Sequence, residues 1–412
     1  MKVLLGFWDG GSGHISRIAR MARFLQLHGY TCAAITTRPE HASVLPSGVS
    51  IHLHPELHVD RSQWTPPDYS HVWSHSQRLL ALGLGDYSAA SKYARSLSRV
   101  VESIKPDLVI TDYLDFLGPI AKAHGLPLLA SVTSTGHVAA PLMGSWRAAE
   151  ATARSLPQCL ETLNRVLVEV GASPVDDVRL VVTGSPQILV APPVLEGLET
   201  ANEVAWSSIP MGLAQTAVVS PRSKSVMVYL GEGNGRPVPG YLPALSRLMR
   251  RTSCDFLVIS TRRFAPYFAG IPNVRVVQHL EKASFQSALA QSRLLISGGG
   301  SVSLQAAFAG VPSLILPWTS GEVYSHVFPR LGIGRTPAAY SEKLEWWHDE
   351  SGPLSSFDVS GHRRIMIGDS EFLSIFGDAM GIEHDRVRDV VASAISAQPE
   401  SDLARMLEMM TR

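Results

Sequence analysis

At 412 residues the chain is too long for one ordinary hydrophobic core, so two domains of about 200 residues each are expected. Hydrophobic residues make up 45% and charged residues 17%, and 36 basic residues balance 36 acidic ones, so net charge draws the chain to no nucleic acid. Three scattered cysteines, Cys32, Cys159 and Cys254, suit a reducing cytoplasm rather than a disulfide scaffold; no stretch reaches the ~18 apolar residues of a membrane span, which leaves only peripheral membrane association open.

Residues 3–8 form a continuous apolar run, the pattern of a buried parallel strand, shorter than a signal-peptide core and leading straight into Gly10-Gly11-Ser12-Gly13-His14. A helix follows with Ile15, Ile18, Ala22 and Leu25 on one face, and with Arg17, Arg20 and Arg23 expected mostly outside it; Gly29 ends it. Residues 32–36 return as a strand. Residues 55–73, with Trp64, Pro66, Pro67, Tyr69 and Trp73, interrupt the alternation as a long loop, and strands over 108–111 and 128–132 follow turns marked by proline.

A second series begins after Pro221. Residues 226–230 lead into Gly231-Glu232-Gly233-Asn234-Gly235, and strands are expected over 256–260, 274–277, 294–296 and 313–316, with helices between them and at 385–397 and 401–410. Alternation of this kind gives doubly wound parallel sheets, so the expected fold class is α/β, two Rossmann-like domains facing across a cleft. The expected division is 1–210 for a first domain and 224–395 for a second, with a helix within 396–412 packing back on the first.

Glycine turns after strands invite a dinucleotide reading, but Ser16 stands where the fingerprint wants its third glycine, and Thr36-Thr37-Arg38 lacks the acidic residue that would hold a ribose. His14 is the better clue. It lies where the first turn becomes a helix, at the edge where open α/β sheets place ligands, and could act as a general base if a carboxylate steadied its other ring nitrogen. Asp112, at the end of the strand over 108–111, is the leading partner and Asp115 the second; the plainer alternative is that both residues only cap their elements. The second turn, Ser297-Gly298-Gly299-Gly300-Ser301, opens a helix through Gln305, stops at Gly310-Val311-Pro312 and returns through a strand to Gly321-Glu322. Its backbone N–H groups and helix start suit phosphate oxygens, and Glu322 suits sugar hydroxyls. His52, His54, His58, His71 and His75 raise a metal site, but no acidic or cysteine ligand recurs at tight spacing, and none is assigned.

The unit 297–322 resembles the donor site of the GT-B glycosyltransferases, in particular the natural-product and UDP-glucuronosyltransferase families and the enzyme that adds N-acetylglucosamine to the lipid-linked cell-wall precursor. The resemblance implies that His14 is the acceptor-side base and Asp112 its activating aspartate. It assigns to the donor Gly231, Gly233, Arg262 or Arg263, Gln278, His279, Ser297, Gly298, Gly299, Gly300, Ser301, Gln305 and Glu322. It assigns to the acceptor Gly13, Trp64, Tyr69, Trp73 and His137. Ser297 stands where many relatives carry a histidine, Gln305 where they carry a glutamate, and Gly321-Glu322 where they carry an aspartate-glutamine pair, which leaves the donor open.

The expected activity is inverting transfer of a sugar from a nucleoside diphosphate, UDP first and dTDP next, to a hydroxyl or amine of a small molecule such as an antibiotic precursor. No cofactor and no obligatory metal ion are expected, and the oligomeric state is open. A nucleotide-sugar hydrolase or 2-epimerase, suggested by the run from Gly11 to Arg17, and a catalytically silent nucleotide-sugar-binding partner are the alternatives.

Overall fold

Twelve strands fall into two six-stranded parallel sheets in the computed structural model, which describes residues 1–8, 12–57, 79, 83–133, 137, 150–198, 204–212, 224–230, 241–260, 262, 264–316, 322–337, 369–398 and 400–411. The first sheet holds β1 (Lys2–Phe7), β2 (Thr31–Thr36), β3 (Ser50–Leu53), β4 (Leu108–Asp112), β5 (Leu128–Val132) and β6 (Gln187–Leu189), in the order β3-β2-β1-β4-β5-β6. The second holds β7 (Ser225–Tyr229), β8 (Asp255–Ile259), β9 (Val274–Val277), β10 (Leu294–Ser297), β11 (Ser313–Ile315) and β12 (Gly334–Arg335), in the order β12-β11-β10-β7-β8-β9. Each sheet starts at a central strand, winds to one edge, then jumps back past its start. Two switch points result, β1 beside β4 and β7 beside β10, and open α/β sheets bind ligands at such crevices.

Helices cover both faces. In the first half they are α1 (Ser12–Leu27), α2 (Tyr87–Ile104), α3 (Leu117–Ala123), α4 (Glu150–Glu169) and α5 (Val178–Val182). In the second they are α6 (Tyr241–Arg251), α7 (Lys282–Ala290), α8 (Ser301–Phe308), α9 (Glu322–Leu331) and α10 (Asp369–Met380), followed by α11 (His384–Ala397) and α12 (Leu403–Thr411). Helix α2 shows why such segments form: Asp86 caps it by accepting from Ala89 N–H, Ala90, Tyr93, Ala94, Leu97, Val101 and Ile104 bury one stripe, and left-handed Lys105 stops it. No helix among the described residues is long and apolar enough to cross a membrane.

The two halves share buried surface. Val190, Ala191 and Leu195 from the first half lie in one apolar cluster with Leu304, Phe308, Val323 and Val327 from the second and Val387 and Val391 of α11. Helix α12 returns to the first sheet, burying Leu403 and Leu407 with Val3, Leu5 and Ile18, and the Trp206 indole donates to the Gln398 carbonyl at 2.8 Å. The buried Glu196 carboxylate accepts from the Tyr324 hydroxyl of α9.

Candidate active site at the facing switch points

Strand pairing builds the first part of the site. Phe7 of β1 is in register with Asp112 of β4, and Trp8 N–H donates to the Asp112 carbonyl at 3.0 Å, so the chain leaving β1 passes directly over the end of β4. Helix α1 starts there, with His14 in its first turn. The His14 Nδ1 lies 2.6 Å from Asp112 Oδ1, and its ring is held edge-on between Trp8, at 5.0 Å, and Tyr113, at 5.3 Å.

Asp112 is fully buried and is gripped from the other side by Arg17, one turn along α1. Arg17 Nε donates to Asp112 Oδ2 at 2.5 Å and Nη2 donates to Oδ1 at 2.7 Å. Burial alone pushes the Asp112 carboxyl up; the Arg17 cation and its hydrogen bonds, with His14, more than reverse that and hold it below the usual carboxylate range. Arg17 is thus a correction to the expected solvent-facing arginines, because the buried carboxylate supplies the counter-charge that makes its burial tolerable. The spacing His14-x-x-Arg17 was the available signal, since residues i and i+3 share a helix face.

The backbone after Asp112 is held in an uncommon shape. Tyr113 and Phe116 both have left-handed φ, 63° and 64°, at about 1–2 kcal/mol each for residues with a Cβ. Compensating bonds fix them: Thr133 N–H donates to the Tyr113 hydroxyl at 3.0 Å, and Phe116 N–H donates to the Val181 carbonyl at 2.7 Å. This local lock aims Asp112 at α1 and buries Asp115 nearby.

The second switch point carries the other turn. Ser297 ends β10 in register with Tyr229 of β7, and Gly299 and Gly300 take φ of 94° and 75°, a region glycine enters without a Cβ penalty. Gly300 is the N-cap of α8. The Ser297 hydroxyl is buried, 3.1 Å from Ser303 Oγ and accepting from Gly299 N–H at 3.2 Å. It braces the turn from within; Gly298 is also buried, while Gly299, Gly300, Ser301 and Gln305 are partly exposed. The starts of α1 and α8 come together: a Cβ built on Gly13 would stand 3.8 Å from both Ser301 Oγ and an Arg17 guanidinium nitrogen.

The remaining expected residues are distributed as follows. Arg262 and Gln278, after β8 and β9, are brought together, with Arg262 Nε donating to Gln278 Oε1 at 3.3 Å; His279 beside them is exposed. Glu322 is the first residue of α9, its side chain outside the described set. His137 is buried, its carbonyl accepts from Arg179 at 2.8 Å, and burial followed by the Arg179 charge pushes its imidazole down to about 4. Trp64, Tyr69, Trp73, Gly231, Gly233 and Arg263 lie outside the described residues, as does the turn 9–11. Among the described residues no three histidine, cysteine, aspartate or glutamate side chains converge as a metal cage.

No family model matches this sequence, and no curated protein matches it. Solved structures do match along the whole chain. The glycosyltransferase of kitacinnamycin aligns with a TM-score of 0.67 at 14% identity, over 100% of this chain and 99% of that one. The spinosyn rhamnosyltransferase SpnG complexed with thymidine diphosphate aligns at 0.61 and 16%, over 99% and 100%. SsfS6, a glycosyltransferase of Streptomyces sp. SF2575 complexed with thymidine diphosphate, aligns at 0.58 and 17%, over 99% of each chain. Two Rossmann-like sheets with facing switch points, matched end to end by these proteins, give this chain the GT-B fold of the glycosyltransferases.

Proposed function

We propose that this protein transfers a sugar from a nucleoside diphosphate to a hydroxyl or amine of a small acceptor, by a single displacement that inverts the anomeric centre. One observation carries the reading: the His14 imidazole, held 2.6 Å from the buried Asp112 carboxylate, sits on the helix start that meets the glycine turn of α8. In this scheme His14 takes the acceptor proton as the new glycosidic bond forms, and Asp112 stabilises the imidazolium. The bond from the anomeric carbon to the phosphate oxygen breaks with its electron pair leaving on the diphosphate. The amides at 299–301 and the positive end of α8 meet that charge.

A helix end and amides can do the electrostatic work of a divalent cation, so the reaction is proposed to need no metal ion. Two of the three neighbours described above hold thymidine diphosphate, which supports testing dTDP-sugars ahead of the UDP-sugars first expected. Neighbours named for kitacinnamycin and spinosyn support a natural-product acceptor.

The test is an assay of dTDP- and UDP-sugars against a panel of hydroxylated aglycones, with and without EDTA, read by product mass and anomeric NMR. A glycoside of inverted configuration, formed equally in EDTA and reduced about 10²–10⁴-fold in His14→Ala, is expected. Release of free sugar at the same rate without acceptor would replace this reading by hydrolysis.

A further inference from the structure

Three groups meet at one point. Arg17 Nη2 lies 2.8 Å from His14 Nδ1 and 2.7 Å from Asp112 Oδ1, while Nδ1 and Oδ1 are themselves 2.6 Å apart. The ring nitrogen has one in-plane site, occupied either by a hydrogen or by a lone pair. Were Nδ1 the acceptor from Arg17, its lone pair would oppose the carboxylate at hydrogen-bond distance. With the hydrogen on Nδ1, that contact becomes a charge-assisted bond and Arg17 keeps both its bonds to Asp112. The second arrangement satisfies more groups, and it leaves the lone pair on Nε2, the nitrogen a general base uses.

The cation also offsets the anion. A carboxylate beside a histidine ordinarily favours the imidazolium, yet here a buried guanidinium stands nearly as close to Nδ1, 2.8 Å against 2.6 Å, and its field opposes that of the carboxylate. Trp8 and Tyr113 stand edge-on to the ring; Trp8 carries no charge, and Tyr113, from the end of β4, lies above the ordinary tyrosine value, chiefly through burial, and stays neutral. Tyr324 of α9, within electrostatic reach of Tyr113 and Arg17, is likewise raised by burial and its partner Glu196 and stays neutral. Glu196, the anion behind Tyr324, is bonded to that phenol.

We propose that Arg17 is a positioning residue for the base: its fork fixes the ionised Asp112 carboxylate, and its charge keeps the His14 imidazole neutral in the Nδ1–H form at neutral pH. The inference rests on the functional reading above but is tested apart from it. A bare histidine-aspartate pair would store a proton in the resting state; this arrangement keeps the base deprotonated and lets Asp112 support the imidazolium only as it forms.

The experiment is an NMR titration of ¹⁵N-histidine protein, with the His14 signals assigned from a His14→Gln sample, on wild type, Arg17→Met and Arg17→Lys. In the wild type, His14 is expected as the neutral Nδ1–H form throughout pH 7–8. Arg17→Met is expected to move proton uptake by the pair upward by about one pH unit or more, with Arg17→Lys in between. The acid limb of the pH–rate profile should move with it. A wild-type His14 carrying its proton on Nε2, or titrating above 7, overturns the proposal even where the Met variant does not fold. An Arg17→Met titration that coincides with wild type also overturns it, and assigns Arg17 to folding alone. Absence of glycosyl transfer by wild type would remove the functional reading and leave the titration still decisive for Arg17.

Discussion

Gly13 of the first half faces Ser301 of the second, so that a Cβ added to Gly13 would stand 3.8 Å from the Ser301 hydroxyl. Both residues lie at helix starts, so two positive helix ends point into one small space. Two converging helix ends suit one shared anion. A methyl at 3.8 Å is ordinary contact, so Gly13→Ala should fold and gain about 0.5 kcal/mol from helix propensity. Gly13→Leu should fill the space and weaken nucleoside diphosphate binding at least about tenfold, or about 1.4 kcal/mol, by calorimetry. Equal affinity in the two variants would contradict this.

Gly300 separates strain from crowding. Its φ of 75° with ψ of −162° is a region essentially reserved for glycine, and nothing lies within 4 Å of an added Cβ, so Gly300→Ala should cost only that backbone strain, about 1–3 kcal/mol in denaturant unfolding. Since the same backbone aims the amides of the turn, diphosphate affinity should fall with it. Unchanged stability would show that the turn does not hold that φ.

Asp112→Asn removes the counter-ion of a buried guanidinium, and breaking a buried pair in this way costs about 3–5 kcal/mol. A double variant, Asp112→Asn with Arg17→Met, should recover part of that stability while remaining as inactive as the single. Urea titrations of the four proteins in the cycle give the coupling; strictly additive losses would refute it.

His137 links the fold to pH. Its imidazole titrates at about 4 in the folded chain against an ordinary 6.5, so between these values the unfolded chain binds the proton first. Stability from this site is whole above about pH 6.5 and is lost as pH falls toward about 4. The midpoint of thermal unfolding should drop across that window, and His137→Gln should flatten the drop. Parallel curves for the two proteins would exclude His137 as the cause.

Much of this arrangement was legible because short apolar runs bounded by glycine or proline admit few structures. The expected strands at 108–111, 274–277 and 294–296 agree with β4, β9 and β10 to within one residue. The meeting of His14 with Asp112 follows from parallel order, which brings the ends of β1 and β4 to one edge. Arg17 was hidden because an arginine in a helix reads as solvated, and its burial depends on a carboxylate 95 positions away. Strand β6 has three residues and β12 two, too few to show any period. The Ser297 hydroxyl turned inward for a reason visible only in three dimensions, since its partner Ser303 comes within reach through the tight turn at Gly299 and Gly300.

The place where a diphosphate binds is the most direct test of this site. A crystal structure of the protein with dTDP or UDP should show the phosphates within hydrogen-bond reach of the amides of Gly299, Gly300 and Ser301, the terminal phosphate directed toward His14. Nucleotide bound elsewhere, or a cleft left empty at saturating concentration, would contradict it.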